Sequence, residues 1–226
     1  MNRVQYVSGH RGRQQGRSTT VTGARAGLRR RSNTRTRLLD AAEELFAVRG
    51  TTAVSIDEIC RQAGFTRGAF YSNFRTVDEV FFALYERQTE HLLEGMRQSP
   101  PLAMSGGGLE DVVETLMHVL PPDWQWYAIR AQFTVQTKSR PETTETLRAH
   151  GERLADGLEP FVVAAVRSAG RDLTCSPSEG TRVVIAAHVG AVLQSPLTDD
   201  PERLRRDVLL SALRGISEPV GPAPTR

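Results

Sequence analysis

The stretch FTRGAFYSNF (65–74) sets hydrogen-bonding side chains between phenylalanines. Phe70 and Phe74 lie four residues apart, which on a helix places both on one buried face, with Phe65 just ahead of them. Thr66, Arg67, Tyr71, Ser72 and Asn73 then fall on the outward side. These hydroxyl, guanidinium and amide groups can donate to phosphate oxygens, or match the donors and acceptors along a base edge. Gly68 and Ala69 are small enough to let such a helix approach a partner closely. A solvated polar face is the plainer reading of the same residues.

Residues suited to catalysis are sparse. The histidines at 10, 91, 118, 150 and 188 show no HExxH or other ligand spacing, and no GxSxG, Walker A or dinucleotide fingerprint is present. The sequence therefore implies no metal, no cofactor and no enzyme, with each histidine at the surface or satisfied in the core. Cys60 and Cys175 lie far apart without redox or metal spacing, which suits a reducing, cytoplasmic setting and two inert thiols. No apolar run nears the ~18 residues of a membrane span. The arginine-rich start lacks the apolar stretch of a secretory signal.

Charge divides the chain. The net charge is +3 over 226 residues, yet residues 1–39 hold ten arginines and no acid, which leaves −7 on the remainder. A basic block on an acidic chain fits a polyanionic partner at that end, and a solvated tail fits it too. Residues 1–32 lack a hydrophobic period and are rich in Arg, Gly, Ser and Thr, so a flexible arm is expected there. A domain over 33–80, a second over 81–217 and a tail over 218–226 complete the expected organisation.

Beyond residue 32 the apolar pattern is helical nearly throughout. Leu38, Ala42, Leu45 and Phe46 share one face of a first helix that stops at Gly50. Ser55, with Glu58 three residues on, forms a capping box for a second helix ending at Gly64. Thr66 caps a third, so two short helices flank a glycine-containing turn, a helix-turn-helix. A long helix over about 77–96 precedes the slack of SPPLAMSGGG (99–108). Further helices are expected at about 109–120, 123–139, 141–169, 177–195 and 201–217, with Pro160 kinking or splitting its segment. The fold class is all-α.

The run TRTRLLDAAEELFAVRGTTAVSIDEICRQAGFTRGAFYSNFRTVDEVF (34–81) resembles the TetR family of bacterial one-component transcriptional regulators. Its AAEELF, SIDEI…AG and TRGAFYSNF helices occur in that family's order and spacing. The resemblance implies that the third helix enters the major groove of an operator, with Phe70 and Phe74 buried and Phe65 anchoring the turn. Arg67 is then placed to read a guanine edge, Tyr71 and Thr66 to bond phosphates, and Ser72 and Asn73 to share the contact. The helix capped by Ser55 presents amides to a phosphate. Many members carry lysine where this chain has Val77, and Arg75, two residues earlier, is the expected substitute. Arg29, Arg30, Arg31 and Arg35 are expected to grip the backbone or enter a minor groove.

For the C-terminal helices the family implies effector binding and dimerisation. EGTRVVIAAHVGAVLQS (179–195) carries small residues four apart, Ala186 with Gly190 and Ala187 with Ala191. PERLRRDVLLSALRGIS (201–217) sets Leu204, Val208, Ala212 and Ile216 on one face and Arg203, Arg205 and Arg206 opposite. Such helices suit a four-helix seam between two subunits, or packing within one. In DWQWYAIRAQF (123–133), Trp124, Trp126, Tyr127, Arg130 and Phe133 are candidates to line a ligand pocket, together with Phe82, Tyr85, Met117 and Phe161. An aromatic stripe at helical spacing is also a common form of core.

The function so implied is a homodimeric regulator, most often a repressor, that binds a roughly palindromic double-stranded operator and is released by a small molecule. The alternative is a helical small-molecule-binding protein or enzyme whose basic arm holds nucleic acid or an anionic membrane nonspecifically. Protection of one short palindrome, at a salt concentration that releases random duplex, separates the two.

Overall fold

Helix α1 spans Thr19–Arg49 and turns Leu38, Leu39, Ala41, Ala42 and Phe46 inward. The computed structural model describes residues 19–98 and 108–220, with side chains from 33 onward. Where a flexible arm is expected up to residue 32, the chain is already helical from Thr19. Ala, Leu and Arg in GARAGLRRR are strong helix formers, and they sustain a helix that has no apolar stripe to announce it.

α2 (Ile56–Ala63) carries the expected capping box, and Gly64 closes it at φ 71°, a left-handed conformation that favours glycine. α3 (Arg67–Tyr71) starts from Thr66 as N-cap. α4 (Val77–Gln98) starts from Thr76, whose Oγ1 accepts from the Glu79 amide at 3.1 Å. The later helices are α5 (Leu109–Val119), α6 (Trp124–Thr137) and α7 (Pro141–Ser168), then α8 (Pro177–Leu193) and α9 (Pro201–Gly215). α7 runs unbroken through Pro160. That residue is exposed, so the carbonyl one turn earlier, deprived of its amide partner, meets water.

Two three-residue strands, β1 (Arg171–Leu173) and β2 (Ser217–Pro219), pair antiparallel with Asp172 opposite Glu218. The pairing ends the last helix at Gly215, two residues before the expected boundary. Segments this short carry no readable alternation of apolar and polar residues.

Two cores hold the helices. The first gathers α1–α3 and the start of α4, but also Ile129 and Phe133 of α6. Phe133 stacks on Phe81 with centroids 4.0 Å apart. The second gathers residues of α5, α7, α8 and α9. α4 belongs to both: Val80, Phe81 and Leu84 sit in the first core, while Leu92 packs against the second. Arg87 fastens α4 to α1 through Asp40 (2.6 Å) and Glu43 (2.7 Å). α7 comes so close to α4 that a Cβ on Gly157 would sit 2.6 Å from Leu93. The helix that leaves the helix-turn-helix is thus also a wall of the C-terminal half.

Candidate nucleic-acid interface and ligand cavity

Phe70 and Phe74 are fully buried and pin α3 to the first core, with Phe65 packed partly against it. The other side is open: Thr66, Arg67, Gly68, Tyr71 and Ser72 are exposed, Tyr71 to 51 %. Thr66 Oγ1 accepts from the Ala69 amide at 3.3 Å. At the far end Ser72 Oγ donates to the Gly68 carbonyl and Asn73 Nδ2 to the Ala69 carbonyl, both at 2.8 Å. Ser72 and the half-buried Asn73 are therefore turned onto their own helix, and Thr66, Arg67 and Tyr71 are the groups left facing outward.

The Arg67 guanidinium pairs with Asp57 of α2 at 3.1 Å and reaches the Tyr71 hydroxyl at 3.4 Å. Both members of the ion pair are more than half exposed (59 and 56 %), so solvent screening leaves it little net stabilisation. Its effect is positional, because it holds Arg67 alongside Tyr71. Ser55 is engaged locally. It accepts from the Glu58 amide at 3.3 Å, while the Glu58 carboxylate takes the Ser55 amide and hydroxyl at 2.8 Å each and pairs with Arg49. These bonds, the Ser55 amide first, hold the Glu58 carboxyl down at about 2. The end of α2 expected to meet a phosphate already carries an anion of its own.

Arg35 donates to the Asn73 carbonyl at 3.3 Å, with its guanidinium 4.4 Å from the Phe74 ring centre. Arg37, which the sequence pattern does not single out, donates to the Ala63 carbonyl at 3.0 Å and lies over Phe65. Each places a cation at a helix C-terminus of the motif, where the helix dipole favours it. Arg75 is exposed, its amide donating to the Glu79 carboxylate at 2.7 Å, and Val77 packs against the first core. The side chains of Arg29, Arg30 and Arg31 lie outside the described residues.

In the C-terminal half two small cavities share a wall. One, about 30 Å³, is lined by aliphatic side chains including Leu116, Leu158 and Val184, with Tyr127, Arg130 and His188 as its polar groups. The other, about 60 Å³, is lined by Tyr85, Gln88, Thr89 and Trp126 among others. Leu92, Tyr127, Arg130 and Leu154 border both. Arg130 donates to the Tyr85 hydroxyl at 3.1 Å and lies 5.8 and 5.4 Å from the ring centres of Tyr85 and Tyr127. Burial pushes the Tyr127 phenol up to about 12, so it stays neutral.

The other pocket candidates are deployed elsewhere. Phe133 is core, stacked on Phe81. Phe82 stacks on His150 in an open groove of about 620 Å³ between the helix-turn-helix and α7. Met117 gives its sulfur and carbonyl to Arg205, at 2.9 and 2.7 Å. Trp124 is 43 % exposed and Phe161 half-buried, both outside the walls of the two cavities.

Residues 38–84 match the family model described as bacterial regulatory proteins, tetR family. The chain carries a TetR-family DNA-binding domain. It is 28 % identical over 129 residues to the transcriptional activator FasR of Mycolicibacterium smegmatis, covering 57 % of this chain and 58 % of FasR. The chain spans about half the length of the curated relatives it matches, and their names include both activators and repressors. Among solved structures, Salmonella enterica GusR aligns with TM-score 0.60 at 20 % identity, over 80 % of this chain and 96 % of GusR. The multidrug binding protein EbrR, complexed with ethidium, aligns with TM-score 0.55 at 22 % identity, over 79 % of this chain and 98 % of EbrR. These structural likenesses establish a shared fold.

Within this TetR-family fold, two buried polar residues escape the sequence pattern. His188, expected at the surface or satisfied, is buried: Nε2 faces the Pro121 carbonyl at 3.2 Å, and Nδ1 has no partner among the described residues. Burial, then the charge of Arg205, pushes its pKa down to about 4. A buried unpaired acceptor costs ~1–3 kcal/mol. The signal was its i, i+4 spacing from Val184 and to Val192, an inward stripe that the small residues 186 and 190 do not share. Arg205, expected on the solvent face of α9, lies instead on the buried stripe with Leu209 and Leu213. Its guanidinium donates to the Met117 and Leu120 carbonyls (2.7 and 3.4 Å) and so caps α5. Leu204, Val208, Ala212 and Ile216 are only half-buried.

Proposed function

We propose that this TetR-family protein is a non-catalytic, cytoplasmic transcriptional regulator that binds a roughly palindromic operator as a homodimer and changes its DNA affinity when a small molecule occupies the C-terminal half. The observation that carries this reading is α3 itself: its apolar side is fully buried, while Thr66, Arg67 and Tyr71 are exposed where a duplex could meet them. Arg67 reads a base edge, and Tyr71 and Thr66 bond the flanking phosphates. Arg35, Arg75 and the basic residues 29–31 add backbone contacts.

Dimerisation is supported by the outer side of α8, where Val183, Ala186 and Gly190 are exposed, beside the half-buried Leu204, Val208 and Ala212 of α9. A Cβ on Gly190 would meet nothing within 4 Å inside one chain, so its own packing does not demand a glycine there. A second subunit closing over this stripe does. Two recognition helices then address half-sites ~34–36 Å apart, and a shift of α4 changes that spacing.

Footprinting on the DNA flanking the protein's own gene tests the reading. The wild type protects one short palindrome. Arg67→Ala loses ~1–3 kcal/mol of affinity for that site and relaxes preference at one base pair in each half, with thermal stability unchanged. No protected palindrome at a salt concentration that releases random duplex overturns it.

A further inference from the structure

We propose that the two cavities flanking Arg130 form one binding site for an apolar molecule bearing a single anionic group, with the anion on Arg130 and an aliphatic body running towards His188. This rests on the regulator reading, since it names the class of effector. A guanidinium has five N–H donors. Arg130 meets one acceptor among the described residues, the Tyr85 hydroxyl, and forms no ion pair there. It lies between the faces of Tyr85 and Tyr127, half-buried where the two cavities meet. A planar fork held open in low-dielectric surroundings is matched by a carboxylate.

The polarity of the site is set from both ends. Because His188 Nε2 faces a carbonyl, that nitrogen carries the proton, and Nδ1 is a bare acceptor. An acceptor there disfavours a second anion, so the charge belongs at Arg130. Arg205 adds positive potential near Tyr127 and His188, but its donors are already engaged by Met117 and Leu120. Between the two ends the wall is leucine and valine, suited to saturated carbon. At about 30 and 60 Å³ the cavities are far below the ~300–1,000 Å³ of an occupied ligand site. A ligand therefore seats by displacing Leu92 and Leu154 of the shared wall. Leu92 lies on α4, the helix that also carries Phe81 of the first core, so occupancy pushes on the element that leads to α3.

The test titrates the full-length protein with decanoate, decanol and decylammonium below their aggregation concentrations, using calorimetry and tryptophan fluorescence. Decanoate is expected to bind at least about tenfold tighter than decanol, and decylammonium weaker than either. Arg130→Gln is expected to abolish the carboxylate advantage while leaving decanol affinity within about twofold. Should that variant fail to fold, Arg130→Lys, which keeps the charge but loses the fork, is expected to lose part of the advantage. Equal affinity for decanoate and decanol overturns the proposal, as does an undiminished carboxylate preference in the Arg130 variants. The footprint of the free protein is scored separately. Arg130-dependent decanoate binding supports the anion site whether or not the footprint changes, and loss of all footprints sinks the regulator reading alone.

Discussion

Around α3 the bonds that shape the polar face are mostly short in sequence: Ser55 with Glu58, Thr66 with Ala69, Ser72 with Gly68, and Arg67 with Asp57 only ten positions apart. In the C-terminal half the deciding polar groups are buried and joined across long stretches, His188 to Pro121 over 67 positions and Arg205 to Met117 over 88. The first region keeps its hydrogen-bonding capacity on an exposed face and secures itself with local caps. The second closes most of its capacity inside, with Arg130 and His188 bordering a cavity and His188 Nδ1 buried without a partner among the described residues. One leaves its polar groups on an exposed face, the other packs them around small cavities.

The sharpest way to break that contrast is to ask whether the halves are separate at all. Phe70→Ala removes a fully buried ring beneath α3, and a loss of about 3–5 kcal/mol is expected, with DNA binding abolished. Because Ile129 and Phe133 of α6 sit in the same core, urea unfolding followed by circular dichroism should show one transition shifted to lower denaturant. A variant in which residues 33–80 melt alone would show that α6 does not unite the two regions.

Arg205→Met probes the enclosed half. The replacement keeps most of the side chain's bulk but leaves the Met117 and Leu120 carbonyls without a donor at the end of α5. About 2–3 kcal/mol of stability should be lost, while operator affinity per folded molecule stays the same. An unchanged melting temperature would mean that these carbonyls find water, and that the residue is as peripheral as its charge suggests.

That contrast also explains what was legible in the sequence. Helix boundaries in the motif are readable because Ser55, Gly64 and Thr66 act on amides and carbonyls within a few residues. The outward placing of Arg67 and Tyr71 follows from the phenylalanine spacing. Tyr85, Trp126, Tyr127 and Arg130 are readable as cavity residues because aromatic groups with a polar tip cluster on α4 and α6. His188 and Arg205 are not, since whether a polar residue is buried depends on partners that only the tertiary fold supplies. Arg37 is missed for a related reason: its acceptor is a backbone carbonyl 26 positions away, and a carbonyl has no sequence signature. The β1–β2 pair is too short to show a period.

His188 gives the enclosed half a pH signature. Its folded pKa lies near 4, below the ordinary 6.5, so the unfolded chain takes up a proton that the native protein refuses. Stability associated with this group is complete above pH 6.5 and is lost progressively as pH falls towards 4. The loss is on the order of 1–3 kcal/mol, most of it arising before ordinary carboxylates titrate. Glu58, held at about 2, stays ionised throughout that window. His188→Phe should flatten the stability profile between those limits, as measured by denaturant midpoints at successive pH values. A slope unchanged by the substitution would show that His188 protonates in place.

The smallest expected effect bears on the open region. Asp57→Asn removes an exposed anion that holds Arg67 at 3.1 Å, so stability should barely change, as measured by the thermal midpoint. DNA affinity should rise by a few-fold, because a carboxylate no longer competes with the duplex for the guanidinium. The salt dependence then tells how Arg67 is used. If the freed arginine neutralises a phosphate, the log–log slope steepens by ~0.9, whereas an arginine on a base edge leaves it nearly unchanged. The base-edge role assigned to Arg67 therefore requires tighter binding with the same slope. Tighter binding with a steeper slope moves Arg67 to the backbone and leaves Tyr71 and Thr66 as the remaining outward groups on α3 to carry sequence preference.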